Sequence, residues 1–185
     1  MLTSLRWLQE YVDISLPPEA LAERLTMAGV KVEGVHRPEA RPRGVVVGRI
    51  LEVRPHPSKD GLSLCRVDVG ERVLETVTGA PNATAGMLVP VALPGALLPG
   101  AAGQVREAEL HGVRSECVLC SERELGVSND HSGLMELPGD LAPGADVADA
   151  LGFDDPVFEF EVYANRPDCL SVVGLAREVA AVTGG

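Results

Sequence analysis

Cys117 and Cys120 stand in Cys-x-x-Cys spacing, which can bring two sulfurs to a metal ion or close a redox-active disulfide. A structural zinc usually takes four ligands, commonly from two such pairs. The other candidates here, Cys65, Cys169, His36, His56, His111 and His131, are scattered. Both cysteines also lie in an apolar, strand-like run without a βαβ pattern around it, where a free thiol behaves as a small buried hydrophobe. Neither a metal nor any other cofactor is expected in this chain. Asp154-Asp155 fall on a turn and Glu159/Glu161 on alternate strand positions, which reads as solvated surface rather than acid–base machinery. Ser, His and Asp occur without the spacing of a nucleophile elbow, so no catalytic set is expected.

The chemistry that remains is recognition. Lys59 lies on the proline-flanked turn His56-Pro57-Ser58-Lys59-Asp60-Gly61, where an ammonium suits a phosphate or is merely solvated. Arg49 and Arg66 fall on neighbouring strands at outward positions, where they either track a phosphate backbone or decorate a wall. Asn82 follows Pro81 at a turn and either stabilises that turn or hydrogen-bonds a base. Ser121 is placed to cap a helix, to meet a ligand, or both. Residues 41–72 hold seven basic and four acidic side chains, a local excess of three on a chain of net charge −11. Phosphate contacts need Lys and Arg, so the overall charge argues against simple nucleic-acid binding. The basic excess is either a local face or a scatter of surface charges.

These residues ride on short alternating strands. Val45–Val53, Leu62–Gly70, Val73–Thr78, Met87–Ala92 and Val105–Leu110 each place apolar residues at every other position between Gly and Pro punctuation. With one short helical segment, Ser121–Gly126, capped by Ser121 and Glu124, the pattern predicts a small closed or partly closed β-barrel.

The flanks read differently. Ser4 caps a first helix carrying Leu5, Leu8, Tyr11 and Val12, and Pro17-Pro18 opens a second that stops at Gly29. Val30–Val35 follows as a strand, and these residues are too few for a core of their own. After the barrel, Asp140–Gly152 returns the chain. Val157–Val162 alternates as a strand, Asn165–Asp168 turns, and Cys169–Thr183 is helical with Leu170, Val173, Leu175 and Val179. Trp7 reads as a core or interdomain contact. An α+β fold follows, in which residues 1–38 and 152–185 form one discontinuous domain and 39–151 a barrel inserted at the polar segment His36–Arg43. Aromatics are only 3% of the residues, so the core must be mostly aliphatic. Neither a run of about 18 apolar residues nor a signal-peptide core is present, and the four cysteines suggest no disulfide scaffold, so a cytoplasmic chain without membrane contact is expected.

His56–Leu62, Thr78-Gly79-Ala80-Pro81-Asn82, Val89-Pro90-Val91-Ala92, Leu97-Leu98-Pro99-Gly100, and Gly112-Val113-Arg114-Ser115 through Cys120–Gly126 recur in that order. Together they resemble the oligonucleotide-binding (OB-fold) barrel that serves as a tRNA-binding module in several synthetases. The flanks, Ser4–Val12, Leu21–Glu33 and Asn165–Glu178, extend the resemblance over essentially the whole chain to the amino-terminal region of the bacterial phenylalanyl-tRNA synthetase β subunit. Thr78 departs from the family's usual Cys, Cys117-Val118 from Gly-Met, and Tyr163-Ala164 from Thr-Pro.

The resemblance implies a non-catalytic, tRNA-binding and scaffold part of a longer subunit. The parent α2β2 ligase joins phenylalanine to its tRNA using ATP and Mg2+. Its active site lies in the α subunit and its editing site beyond this chain. Arg49, Lys59, Arg66, Asn82, Arg114 and Ser121 are the candidate nucleic-acid contacts. The implied partners are tRNA, the α subunit and the rest of the β subunit. Gly44–Gly126 contains no Phe, Tyr or Trp, so stacking of about 1–3 kcal/mol per base is lost unless Arg planes replace it, and weak, salt-sensitive binding is expected. Two other readings stay open: a barrel that only docks protein subunits, and a free-standing tRNA-binding protein.

Overall fold

The computed structural model describes residues 1–37, 41–101 and 103–184. The chain runs β1 (Leu2–Ser4), α1 (Leu5–Gln9), α2 (Pro18–Met27), β2 (Lys31–His36), β3 (Arg43–Pro55), β4 (Ser63–Asp68) and β5 (Val73–Thr78). It continues through β6 (Leu88–Leu97), β7 (Ala108–Leu110), β8 (Val113–Ser115), β9 (Val118–Leu119), α3 (Glu122–Leu125) and α4 (Val147–Ala150). β10 (Val157–Glu161), a 3-10 turn (Pro167–Leu170) and α5 (Val172–Thr183) complete it. The fold is α+β and divides into two compact units, Met1–Glu39 with Phe153–Gly185, and Ala40–Gly152. Residues 38–40 of the expected boundary segment His36–Arg43 lie outside the described residues.

The first unit is a three-stranded antiparallel sheet in the order β1-β10-β2 with three helices. Phe158 faces Val35 and Phe160 faces Val32 across the β10–β2 pair. The period of two points both phenylalanines into the core, with ring centroids 5.9 Å apart. Leu8, Leu21, Leu25, Leu175 and Val179 complete that core. Full burial of each such side chain contributes about 1.5–3 kcal/mol. Ser4 caps α1 by accepting the Trp7 N–H at 3.2 Å, Pro18 opens α2, and Gly29 leaves it at φ +94°.

Several expectations need correction here. α1 ends at Gln9, leaving Tyr11 outside it and 53% exposed. Trp7 is 46% exposed and belongs to neither core cluster. α5 starts at Val172, because Ser171 caps it by accepting the Gly174 N–H, so Leu170 precedes the helix and lies 63% exposed. Val173 faces outward as well.

The second unit is a curled antiparallel sheet in the order β5-β4-β3-β6-β9, with the β7–β8 hairpin beside it. β3 is its spine: 13 residues long, it pairs with β6 through its first half and β4 through its second. An irregularity between Ile50 and Glu52 bends it. Gly48 permits tight coiling, since a Cβ there would lie 2.3 Å from Val91 Cγ2 and 2.8 Å from Val67 Cγ1. Cys65 and Val67 of β4, Leu74 of β5 and Val89 and Val91 of β6 fill the concave side. Pro90, lacking an N–H, is tolerated because its partner Val47 turns its backbone groups away, to Ala145 and Gly144.

The two ends of the sheet approach one another. The Glu116 N–H donates to the Glu75 carbonyl at 2.9 Å, and Thr76 Oγ1 donates to the Cys117 carbonyl at 2.6 Å. Two features differ from expectation. Only Ala108–Leu110 of the alternating Val105–Leu110 run forms a strand. A second short helix, α4, stands in the return segment, capped by Asp146 Oδ1, which accepts the Ala148 and Asp149 N–H groups.

Candidate nucleic-acid interface

Four segments distant in sequence meet around one open groove of about 480 Å3. Thr78–Pro81 leave β5, Gly100 and Ala101 follow the Leu-Leu-Pro-Gly turn, Ser121–Glu124 open α3, and His131–Leu134 close the rim. Each wall has an identifiable clamp. Gly100 donates its N–H to the Glu124 carbonyl at 3.0 Å, and a Cβ on Gly100 would lie 1.8 Å from the Arg123 carbonyl oxygen. Only glycine fits this approach. Asn82 Nδ2 donates to the Leu134 carbonyl at 2.9 Å, while Asn82 Oδ1 accepts the Leu134 N–H at 2.8 Å. The Arg123 N–H donates to the Asp130 carbonyl at 2.9 Å, tying α3 to the His131 segment.

Of the six suggested nucleic-acid contacts, only Ser121 lines this groove. It is buried, and its N–H and hydroxyl both donate to Glu124 Oε2, at 2.7 and 2.9 Å. Asn82 braces the wall with both ends of its amide engaged. Lys59 is exposed on its turn, and no ion pair holds it among the described residues. That turn is ordered from beneath by buried His56, whose Nδ1 accepts the Ser58 N–H at 3.2 Å. Ser58 Oγ reaches the His111 carbonyl at 3.3 Å, in the β7–β8 hairpin.

The arginines are placed on the surface but not left free. Arg49 faces Asp68 in the β3–β4 register and donates to the Gly86 carbonyl at 3.5 Å. Arg66 has Glu52 on one neighbouring strand and Glu75 on the other, with NH1 3.8 Å from Glu52 Oε2. Glu52 is also gripped by Arg54 through two hydrogen bonds of 2.6 and 2.8 Å, which hold its carboxyl below the usual range. Arg114 pairs with Glu107 across the β7–β8 hairpin. Of the basic residues in 41–72, Arg54 and Arg66 are thus held by Glu52 and Arg41 by Asp146 and Asp149, so the local excess is not a row of free cations.

Cys117 and Cys120 are buried under the sheet, and desolvation pushes their thiols up to about 11 and about 12. They are neutral thiols at physiological pH, poor nucleophiles and poor metal ligands. Two groove residues are absent from the suggested nucleic-acid contacts: Arg123, inside an acidic helix, and His131, beyond the strands and weighed only as a metal ligand. His131 Nδ1 donates to the Asn129 carbonyl at 3.3 Å, and the Arg123 guanidinium has no hydrogen bond or ion pair among the described residues. The Ser121–Glu124 capping box beside Arg123 was the available signal for that rim.

The family described as "Putative tRNA binding domain" matches residues 45–146, the span of the curled sheet and the groove. The chain belongs to this tRNA-binding family. It is 50% identical over 97% of its length to the phenylalanine–tRNA ligase beta subunit of Moorella thermoacetica. It is 47% identical over its full length to that of Syntrophus aciditrophicus, and 51% over 96% to that of Bordetella pertussis. The chain spans only 22–23% of the length of these curated relatives. The crystal structure of a MetRS related protein from Pyrococcus horikoshii aligns with 55% of this chain and 85% of its own at TM-score 0.42 and 17% identity. Among the described residues no helix is long and apolar enough to cross a membrane.

Proposed function

We propose that this chain is the tRNA-contacting, non-catalytic part of a phenylalanine–tRNA ligase β subunit, working in the cytoplasm. Its unit Ala40–Gly152 is the tRNA-binding domain, an oligonucleotide-binding barrel, and the flanking unit is its mount. The parent enzyme, an α2β2 assembly, attaches phenylalanine to its tRNA with ATP and Mg2+, at an active site in the α subunit. The α subunit and the remainder of the β subunit are its protein partners. The observation that carries this reading is the convergence of four separated segments, all inside the tRNA-binding match, on one groove. Lys59, exposed and without an ion pair among the described residues, is the first phosphate contact; Arg49 contributes by leaving the Gly86 carbonyl, and Arg66 and Arg114 once a phosphate displaces Glu52 and Glu107, which costs affinity.

Retention of a tRNA transcript on a filter by the 185-residue chain, at low and moderate salt, tests this. Salt-sensitive retention, weakened and less salt-dependent in Lys59→Ala, is the expected result. The partnered arginines favour a second reading, in which the barrel docks protein subunits and never touches RNA; absence of any salt-dependent retention would overturn the first reading and favour this one.

A further inference from the structure

The central strands carry no aromatic residue, yet the groove presents two planar side chains from outside them. Arg123 begins the rim on α3 and His131 continues it, held next to one another by the bond from the Arg123 N–H to the Asp130 carbonyl. The Nδ1–H bond to the Asn129 carbonyl, which can only accept, orients the imidazole. Gly79, Gly100 and Gly133 also line the groove and bring no side chain into it. At about 480 Å3 the open groove has room for one planar ring system.

We infer that this groove takes a single unpaired nucleobase of an RNA strand, with the Arg123 guanidinium and the His131 imidazole supplying the planar faces on which it stacks. This rests on the reading of the chain as a tRNA-binding module and adds the element of RNA it selects, an unstacked base rather than duplex. Unpaired bases splayed onto arginine or histidine planes are how proteins read loops and ends of RNA. The remaining groups suit that role. Glu124 is held in place by the Ser121 N–H and hydroxyl, and Ser132 is anchored through its N–H to Asp130 at 2.8 Å.

The test uses the 185-residue chain and two fluorescent probes of equal length, oligoadenylate and an abasic ribose-phosphate oligomer. Arg123→Lys keeps the charge and removes the plane; His131→Ala removes the ring; His131→Phe keeps one. The first two should weaken oligoadenylate binding about 5- to 100-fold and leave the abasic probe and the salt dependence unchanged, while His131→Phe binds as well as wild type. Equal losses on both probes, or a smaller salt slope, would make these residues phosphate contacts and overturn the inference. Wild-type binding of tRNA with every variant unaffected would overturn the inference alone. Failure of the wild type to bind tRNA or either probe would remove the parent reading with it.

Discussion

Asn82→Ala separates a structural pin from a base reader. The side chain makes two hydrogen bonds to one residue 52 positions away, Leu134, which is itself 7% exposed. Each bond is worth roughly 0.5–1.5 kcal/mol net, and the stranded N–H and C=O of Leu134 add a desolvation penalty of similar size, reduced because Asn82 sits at the surface. The sum is about 2–3 kcal/mol for keeping the His131–Leu134 rim closed. Hydrogen exchange of the Leu134 amide reads this quantity locally, and the loss should lower its protection roughly 30- to 150-fold, since about 1.4 kcal/mol is a factor of ten. Asn82→Asp should open the rim at least as much, because it replaces the donor facing the Leu134 carbonyl with an acceptor. Gly133→Ala acts from the other side, as its Cβ would lie 2.5 Å from Asn82 Oδ1. Leu134 protection within threefold of wild type in Asn82→Ala would refute the clasp and return Asn82 to the candidate base contacts.

Gly100→Ala forces backbone apart at the 1.8 Å approach to the Arg123 carbonyl and should cost about 1–3 kcal/mol in urea unfolding followed by far-ultraviolet circular dichroism. An unchanged midpoint would show that the Leu-Leu-Pro-Gly turn is not locked to α3. The buried thiols set an alkaline limit. In the unfolded chain they ionise near 9, whereas folding holds Cys117 to about 11 and Cys120 to about 12. The folded pKa values are raised, so this stability is fully present below about pH 9 and is lost as pH rises towards 11–12. Between pH 8 and 10.5 the loss is of the order of 2 kcal/mol per thiol. Cys117→Ala/Cys120→Ala should show a correspondingly shallower decline of the urea midpoint; an equal decline in both proteins would contradict the assignment.

How much of this could be read from residues alone depends on the range of the interaction. Cys65/Val67 and Phe158/Phe160 declare their buried faces by a period of two, and Ser4, Gly29 and the Ser121–Glu124 box declare their helix ends, because each signal is local. β1 is three residues with no pattern of its own; it exists because the edge of β10 pairs with Leu2–Ser4. The Val105–Leu110 run alternates convincingly, yet its partners change along it: Val105 bonds to Gly95 and Ala96 of β6, whereas only Ala108–Leu110 pair as a strand, with β8. The charge pattern depends on longer range still. Counting residues 41–72 gives a basic excess, but which cations are paired is set by register: after the irregularity at Ile50/Glu52, Glu52 stands opposite Arg66, and on the far side of β4 Arg66 meets Glu75. A one-residue slip of β3 would turn Glu52 to the other face and leave Arg66 with one carboxylate instead of two. The supply of free cations on this sheet is therefore a property of strand pairing, invisible to composition. By the same logic Arg123, inside the acidic run Glu122–Glu124, remains available, because its neighbours' carboxylates are engaged by Ser128 and Ser121.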